Sequence, residues 1–308
     1  MASRYQSEGN VQAMPSKLVY VDLKTTGFKK DAQACQIGSC CEDEEFTCYT
    51  CPTIEFELQA TYKTYFYSNE GVLYQEGRIL ETLPMSEAWE RFLRFLEEKC
   101  GGNVTLVMHR DAYHLPIIKR HLKELGLLEK FSVICKGVID TLQLFRKEYP
   151  QIKEEGRGYE LDELLSIIGL EETKPSELDA LVAAKNLKEL VDHEISQGNI
   201  DSYVLNNYFK SLTYIQEAEN AKEDAKILKT EMPSLSKETA EKLVGAGISY
   251  YLLLSTYNEA GESGIRSLLS EEVNGQVRVT KSSMVIRKNI YDLQNRIKTE
   301  VSSPLEEQ

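Results

Sequence analysis

The hydrophobic pattern in the first half of the chain predicts short strands. Apolar runs of strand length, bounded by polar turns, are typical of buried or half-buried strands. Such runs occur at KLVYVDL (17–23), QACQIGSCC (33–41), EFTCYTC (45–51), VTLVMH (104–109) and the end of FSVICKGVID (131–140). A polar turn of three acids joins the second run to the third, so the first three strands are expected to form an antiparallel meander.

Helical periodicity separates and follows the later strands. Apolar residues that recur every three or four positions mark one face of an amphipathic helix. This spacing predicts helices at 86–100, 113–128, 141–149, 161–170 and 178–195. A meander followed by strands that alternate with helices predicts one α/β domain with a mixed central sheet.

The pattern changes after residue 198, where the strand-like runs end. Residues 199–231 predict linking helices, and residues 232–300 predict a small all-α domain whose glycines suit short turns. The predicted organisation is a flexible N-terminus at 1–14, the α/β domain at 15–198, these two helical segments, and a tail at 301–308.

Composition is that of a globular protein without a membrane span. Of the 308 residues, 42% are hydrophobic and 28% are charged, which is ordinary for a folded chain of about two domains. No apolar run approaches the roughly 18 residues of a membrane helix, and the N-terminus lacks the apolar core of a signal peptide. The seven cysteines are expected to stay reduced, and the expected compartment is the cytoplasm.

Net charge narrows the range of binding partners. A formal charge of −13 argues against a protein that coats nucleic acid non-specifically, because that binding depends on neutralising phosphates. The charge is uneven, however, since six bases face one acid between residues 273 and 298. Four of these bases are predicted to belong to a nucleic-acid-binding surface: Arg278, Lys281, Arg287 and Lys288. The alternative is that these bases form an ordinary solvated helix face.

A CxxC motif at Cys48 and Cys51 prompts a zinc hypothesis. A structural zinc site needs a second cysteine pair, or histidines, on tight loops. Here the motif lies in a predicted strand, where residues three apart point to opposite faces. Buried cysteines that pack as small hydrophobic residues are therefore preferred, and no metal or cofactor is predicted.

A carboxylate at the end of the first predicted strand suggests metal-assisted phosphoryl transfer. Such a site needs several acids around two Mg²⁺ ions roughly 4 Å apart, and a base to activate water. Asp22 lies in a suitable place, just before a turn at Gly27. A second acid is expected two residues later, on the same face of the strand, but that position holds Lys24.

Five segments, in order, resemble the motifs of the DEDDh 3′–5′ exonucleases. They are VDLKTTG (21–27), LVMHRDAYH (106–114), GVIDTLQLFR (137–146), YELDELL (159–165) and LDALVAA (178–184). In that superfamily, the first two motifs carry metal-binding acids, and the last region carries a histidine base and a final aspartate. The resemblance spans about residues 15–195 and implies a ribonuclease H-like exonuclease fold.

Carried over to this chain, the family's catalytic set is largely missing. The first acid is present as Asp22, but the second acid is replaced by Lys24 and the third by His114. The histidine base corresponds to Leu178, and the final acid corresponds to Ala183. The resemblance therefore implies a degenerate member, a pseudonuclease with no catalytic residues and no metal site.

Two hypotheses follow for the altered cleft. Asp179 and Asp111 lie near the vacated positions, and either acid would support a divergent active exonuclease if it rescued weak metal binding. Alternatively, fewer acids make the cleft compatible with phosphate without metal. Lys24, His114 and Arg110 are then candidate phosphate contacts, against the simpler interpretation that these side chains only pack.

A degenerate DEDDh-like domain followed by a small helical domain resembles the exuperantia family of maternal insect proteins. That resemblance implies a SAM-like helical domain, a homodimer, binding of single-stranded or structured RNA, and a role in mRNA localisation in the germline. The leading hypothesis is an RNA-binding pseudonuclease. The alternatives are a protein-interaction adaptor that uses the exonuclease fold as a scaffold, with partners on the helical domain, and a divergent active exonuclease.

Overall fold

The chain divides into two compact units. The structure, a computed structural model, describes residues 16–29, 31–170, 175–273 and 276–302. The first unit ends at Leu212 and the second begins at Thr213. The predicted flexible N-terminus (1–14) and positions 303–308 of the predicted tail lie outside the described residues.

The first unit is built on a mixed sheet. Its strands, in chain order, are β1 (Lys17–Thr25), β2 (Ala34–Cys41), β3 (Glu44–Tyr49), β4 (Phe66–Asn69), β5 (Val72–Gln75), β6 (Arg78–Ile79), β7 (Val104–Met108), β8 (Cys135–Asp140) and β9 (Phe209–Ser211). Within the described residues, the main sheet has the order β3-β2-β1-β7-β8-β9. The first three strands are antiparallel, β7 and β8 run parallel to β1, and β9 runs antiparallel to β8. The predicted α/β, ribonuclease H-like arrangement is confirmed.

Helices cover both faces of this sheet. They are α1 (Leu58–Thr64), α2 (Met85–Arg94), α3 (Asp111–Glu124), α4 (Leu128–Ile134), α5 (Thr141–Glu148), α6 (Gln151–Glu154), α7 (Leu161–Ile168), α8 (Ala180–Ser196) and α9 (Ser202–Asn207). A π-helical turn, Phe95–Lys99, follows α2 directly. Strands β2 and β7 are buried along their whole length, as expected of strands covered on both faces.

Helix α8 approaches β2 closely at Gly38. A Cβ atom at this position would lie 2.1 Å from the backbone carbon of Ala180, at the start of α8. Ala180 also donates its backbone N–H to Oε1 of Gln36, at 2.9 Å. Because only glycine allows this approach, Gly38 fixes the N-terminus of α8 against the sheet.

The first unit extends further than the sequence pattern predicts. Strand β9 lies within 199–231, the segment assigned to linking helices, so the observed boundary differs from the predicted one at 198. A three-residue strand is too short to show a period-two pattern. It pairs with β8 beside Gly137, where a Cβ atom would lie 2.4 Å from the carbonyl oxygen of Lys210.

A small antiparallel sheet of β4, β5 and β6 stands apart from the main sheet. The rings of Tyr67 and Tyr74 stack across β4 and β5, with centroids 4.9 Å apart. Gln75 at the end of β5 donates a hydrogen bond from Nε2 to the carbonyl oxygen of Leu178, at 2.5 Å. The small sheet therefore supports the segment that leads into α8.

The second unit is helical apart from one short hairpin. Its elements are α10 (Leu212–Glu231), α11 (Lys237–Gly245), α12 (Tyr250–Ser270), β10 (Glu272–Val273), β11 (Gln276–Val277) and α13 (Ser283–Ser302). At Gly261, where the sequence predicts a turn, the backbone of α12 leaves the helical conformation with φ 60° and ψ −149°. The unit has its own core, which includes Leu243, Leu253 and Ile290. The predicted C-terminal helical region is confirmed, and its SAM-like character stays a prediction.

In the part of the chain that the structure describes, every helix is too short or too polar to cross a bilayer.

Candidate functional site

The end of β1, helix α3 and the segment before α8 meet around Asp22. The alternation of side chains along β1 places Asp22 and Lys24 on the same face of the strand. Helix α3 presents His114, and the segment before α8 presents the backbone carbonyl of Ser176. The sequence-predicted positions 22, 24 and 114 are thus brought together in space.

The ammonium of Lys24 is held by two acceptors in this cluster. Its Nζ lies 2.7 Å from Oδ2 of Asp22 and donates to the carbonyl oxygen of Ser176, also at 2.7 Å. Only 8% of Lys24 is exposed to solvent. A phosphate contact by Lys24 would require this arrangement to open, so that predicted role stays a prediction.

Ser176 is itself held from two sides. Its backbone N–H donates to both carboxylate oxygens of Asp162 on α7, at 3.1 and 3.0 Å. Its hydroxyl accepts a hydrogen bond from Nδ2 of Asn186 on α8, at 2.9 Å. The carbonyl that receives the Lys24 ammonium is therefore fixed by two helices of the fold.

His114 completes the cluster on the side of α3. Its Nε2 lies 3.4 Å from Oδ1 of Asp22, and its Nδ1 has no hydrogen-bond partner among the described residues. Burial lowers the pKa of His114, partly offset by the Asp22 carboxylate, which raises it. His114 is 7% exposed, so its predicted contact with phosphate, like that of Lys24, would require the cluster to open.

The two remaining family positions lie at the start of α8. Ala183 is buried in the first turn of the helix, and Leu178 is half-buried in the segment before it. Asp179, a candidate to replace the lost acid, caps α8 instead. Its Oδ1 accepts the backbone N–H groups of Leu181 and Val182, at 2.8 and 3.0 Å. Asp179 thus lies just before the first turn of α8, and its carboxylate is occupied by the N–H groups of that helix.

Asp111, the other candidate acid, is paired elsewhere. Its Oδ2 lies 3.0 Å from Nζ of Lys210 on β9, and its side chain is buried. Asp140 lies beside it and caps α5 by accepting the backbone N–H of Leu142. Desolvation, followed by the charge of Asp111, raises the pKa of Asp140. Lys210 therefore compensates the buried carboxylate of Asp111, whose side chain is engaged within the fold.

These side chains do not fit the two-metal site that the exonuclease motifs imply. Two Mg²⁺ ions need several converging carboxylates. Among the described residues, no group of three or more His, Cys, Asp or Glu side chains is placed to hold a metal ion. The Asp22 carboxylate already accepts from Lys24, so its charge is neutralised within the protein.

The neighbouring residues of α3 are held by local contacts. Arg110 precedes α3 with φ 78°, donates its backbone N–H to Oδ1 of Asp140, and pairs its guanidinium with Glu160. The hydroxyl of Tyr113 lies 2.6 Å from Oγ1 of Thr25. The positive φ of Arg110 is uncommon for a residue with a side chain, and the Asp140 hydrogen bond helps to hold it.

The predicted bases of the second unit fall into two classes. Arg278 pairs with Glu271 at 2.6 Å and donates to the carbonyl oxygen of Ala246, and Lys281 pairs with Glu272. Arg287 and Lys288 are exposed on α13 and make no ion pair with the described residues. Of these four predicted bases, the two without an ion pair among the described residues therefore both lie on α13.

The sequence pattern did not identify three residues that complete the Lys24 cluster, the ion pair of Asp111 and the group of cations on α13. Ser176 acts through its carbonyl, which has no side-chain signature. Lys210 acts through β9, which the pattern did not reveal. Tyr291, beside the α13 cations, was visible in the sequence, since it lies three residues after Lys288 and so shares its helical face.

Comparison with protein families finds one match in the second unit. The family described as "PML, C-terminal domain" matches residues 231–295. This range covers α11 to most of α13 and leaves the first unit unmatched. The match is too short to assign the whole chain to that family.

A curated relative matches about half of this chain. The DNA polymerase III PolC-type of Clostridium perfringens (strain 13 / Type A) is 28% identical over 152 residues. The match covers 47% of this chain but only 9% of the polymerase. The activity of that much longer protein is therefore not transferred to this chain.

Solved structures of nucleases show a weak likeness of fold. Cell-death related nuclease 4 (CRN-4) has a TM-score of 0.45 at 14% identity, and the match covers 59% of this chain and 64% of the CRN-4 chain. A full-length 3′-exonuclease has a TM-score of 0.44 at 12% identity, and the match covers 64% of this chain and 63% of the exonuclease chain. S. pombe Pop2p, in a form bound to Mg²⁺ and Mn²⁺, has a TM-score of 0.43 at 12% identity. That match covers 62% of this chain and 88% of the Pop2p chain. The strand order and strand directions of the main sheet define the fold class independently of these values.

Proposed function

We propose that this protein is a catalytically inactive, exonuclease-like protein that binds RNA without metal. The observation that carries the proposal is the seating of the Lys24 ammonium between the Asp22 carboxylate and the Ser176 carbonyl. That ammonium neutralises Asp22, the remaining acid of the first exonuclease motif. Following the family resemblance, we extend the proposal to a cytoplasmic homodimer that takes part in mRNA localisation.

The physical case against metal binding is electrostatic. Two unit positive charges about 4 Å apart repel each other by about 4 kcal/mol at an effective dielectric constant of ~20, and a divalent ion doubles that cost. Lys24 cannot swing away freely, because its carbonyl partner is fixed by Asp162 and Asn186. Metal-dependent cleavage would therefore need both a new ligand set and the removal of Lys24.

RNA binding is supported by a difference between the two units in which predicted cations are ion-paired to acids. In the first unit, the candidate phosphate contacts Lys24 and Arg110 pair with Asp22 and Glu160. In the second unit, α13 carries cations without such partners among the described residues. A protein of net charge −13 can bind RNA only through a local surface of this kind.

The test combines a nuclease assay with a binding titration on the full chain. With 3′-labelled RNA in Mg²⁺ or Mn²⁺, we expect no shortening at high protein concentration. RNA affinity should be the same in EDTA, and its logarithm should fall linearly with the logarithm of salt concentration. Metal-dependent shortening that an Asp22→Ala change abolishes would overturn the proposal in favour of a divergent exonuclease.

A second candidate function is a form of the protein-interaction adaptor in which the partner binds the first unit and not the helical domain, and an exposed apolar surface on the first unit favours it. Leu58 and Tyr62 on α1 are 75% and 76% exposed, and Tyr65 and Ile79 are 50% and 69% exposed. Residues 58, 62 and 65 recur at helical spacing, and clustered exposed apolar groups often mark interaction sites.

Solution mass tests whether this surface mediates self-association, and the RNA titration described above separates the adaptor hypothesis from the RNA-binding proposal. If this surface joins two copies, the mass measured by light scattering should rise from monomer to dimer with concentration, and Tyr62→Glu should return it to the monomer. Tyr251→Glu serves as a matched control, because Tyr251 is 78% exposed on the second unit. A Tyr62→Glu variant with the mass and RNA affinity of the wild type would remove the support that this surface gives to the dimer.

A further inference from the structure

We propose that the exposed face of α13 is a binding site for single-stranded nucleic acid, in which Tyr291 stacks on a base and Arg287 and Lys288 contact the flanking phosphates. This inference rests on the proposed RNA-binding function and deepens it, because it names the site and the form of the ligand. We call the surface formed by Met284, Arg287, Lys288 and Tyr291 the α13 face.

The geometry of α13 places these four side chains together. Their spacing of three, four and seven residues puts them on one side of the helix. Met284 is 66% exposed and Tyr291 is 59% exposed, and both cations are exposed. The four side chains and Ser283 line a shallow depression of about 520 Å³.

The opposite side of α13 is fixed in the core of the second unit. Ile286, Ile290 and Leu293 are buried there, with exposures of 1%, 5% and 0%. Asp292, the acid of this stretch, is also buried and accepts hydrogen bonds from the backbone N–H and hydroxyl of Ser234. The helix therefore cannot rotate to hide the α13 face, and the acid nearest to that face in sequence is turned into the core.

The charge of the α13 face is available to a ligand. Neither Arg287 nor Lys288 forms an ion pair with any residue that the structure describes, whereas Arg278 and Lys281 are each paired with a glutamate. A phosphate that reaches Arg287 or Lys288 does not have to displace an internal carboxylate. The lining of the depression contains no acid.

The combination of side chains selects a single strand over a duplex. An aromatic ring stacks on a base only when that base is unpaired, and such stacking is tolerant of sequence. Met284 adds a polarisable apolar surface against the base or sugar. Cations on the same helical turn as the ring match a backbone whose phosphates flank the stacked base. Because both RNA and DNA single strands carry this chemistry, the two are separate arms of the test.

The experiment measures fluorescence anisotropy of labelled ten-nucleotide uridine RNA, thymidine DNA and a duplex RNA, with the full-length protein. Tyr291→Ala should weaken single-strand binding by about 10-fold. The double change Arg287→Gln and Lys288→Gln should reduce the slope of log affinity against log salt by about 1.4, which corresponds to two phosphates on a single strand. Preference for RNA over DNA would assign part of the binding to the 2′-hydroxyl.

Matched controls separate the α13 face from general effects of charge and aromatic content. Tyr251→Ala removes a tyrosine of the same unit that is more exposed than Tyr291, and Lys281→Gln removes an ion-paired cation. Both controls should bind single strands like the wild type. All substituted residues are exposed, so circular dichroism should show unchanged helix content in every variant.

The outcomes are distinct for the inference and for the function on which it rests. If the wild type binds RNA and Tyr291→Ala binds equally well, the α13 site is wrong and the proposed function stands. Equal affinity for the duplex, or tighter binding of an acidic peptide than of any single strand, would also overturn the α13 site. If the wild type binds no RNA, the proposed function itself fails.

Discussion

Lys24 and Lys288 are the same residue type, and both belong to the predicted nucleic-acid surface, yet their surroundings are opposite. Lys24 is 8% exposed and held by Asp22 and the Ser176 carbonyl. Lys288 is exposed on a helix, without an ion pair to the described residues. The difference shows that the number of cations does not determine a binding surface. What matters is how many cations remain uncompensated after folding.

The two places also differ in what holds their charge. Around Lys24, the fold supplies fixed acceptors from distant parts of the chain, so the ammonium contributes to stability. On α13, the fold supplies only a rigid helix, so the cations contribute little to stability and stay available to a ligand. Stability and binding should therefore respond in opposite ways to equivalent substitutions.

The largest expected effect comes from removing the two lysines one at a time. Lys24→Met leaves the Asp22 carboxylate in a largely buried site without its cation and should lower the free energy of unfolding by about 3 kcal/mol or more. Lys288→Met should change it by less than about 0.5 kcal/mol. Urea denaturation measures both, because the sequence's one tryptophan, Trp89, reports on the first unit and circular dichroism reports on the helices.

A double variant tests whether the loss comes from the unpaired carboxylate. If it does, Asp22→Asn combined with Lys24→Met should be less destabilising than Lys24→Met alone, since no buried charge is left. Equal stability of Lys24→Met and Lys288→Met would contradict the contrast between the two places. It would also support the hypothesis that the Lys24 ammonium is free to contact a phosphate.

The second expected effect is a histidine-dependent loss of stability at low pH in the first unit, which contains all four histidines. Burial lowers the pKa of His109 to about 4, and its Nε2 donates to the carbonyl oxygen of Tyr159 at 2.6 Å. The unfolded chain takes up a proton below about pH 6.5, whereas the folded state resists protonation until about pH 4. Stability should therefore be complete above pH 6.5 and fall as the pH drops, with about 2 kcal/mol lost at about pH 5 from His109 alone.

The measurement is a set of urea curves between pH 7.5 and 4.5, each followed by Trp89 fluorescence. His121 acts in the same direction, because burial lowers its pKa to about 4 as well. A variant with His109→Asn should show a shallower fall in stability with decreasing pH. A profile unchanged by this substitution would show that other groups dominate the acid sensitivity.

Much of the fold could be predicted because the relevant signals are local. Strands β1, β7 and β8 follow from apolar runs that stop at polar residues, and the break at Gly261 follows from the freedom of glycine. Strand β9 could not be predicted in this way. Its three residues pair only because β8 offers Gly137, which is distant in the sequence.

The candidate site shows the same division between local and distant signals. The proximity of Asp22 and Lys24 follows from strand alternation, and the loss of catalytic side chains is visible in the sequence. That the carbonyl of Ser176 completes the coordination of Lys24 depends on two helices and a loop, and no residue type announces it. That Asp179 caps α8 depends on the residue at which the helix begins, and a helix boundary is the least certain part of a helical pattern.

The smallest expected effect concerns Asp179 and separates a helix cap from a metal ligand. Asp179→Ala should lower the stability of the first unit by about 1 kcal/mol, because two N–H groups of α8 lose their acceptor. Asp179→Asn keeps the cap and should change stability by only a few tenths of a kcal/mol. Thermal unfolding in Mg²⁺ and in EDTA gives the decisive comparison.

If Asp179 only caps α8, Mg²⁺ should leave the wild type and both variants at the same midpoints of thermal unfolding as EDTA. A rise in the midpoint with Mg²⁺ that is present in the wild type and absent in Asp179→Asn would identify a metal ligand. Such a result would show that the first unit retains the metal affinity that the Lys24 cluster otherwise opposes.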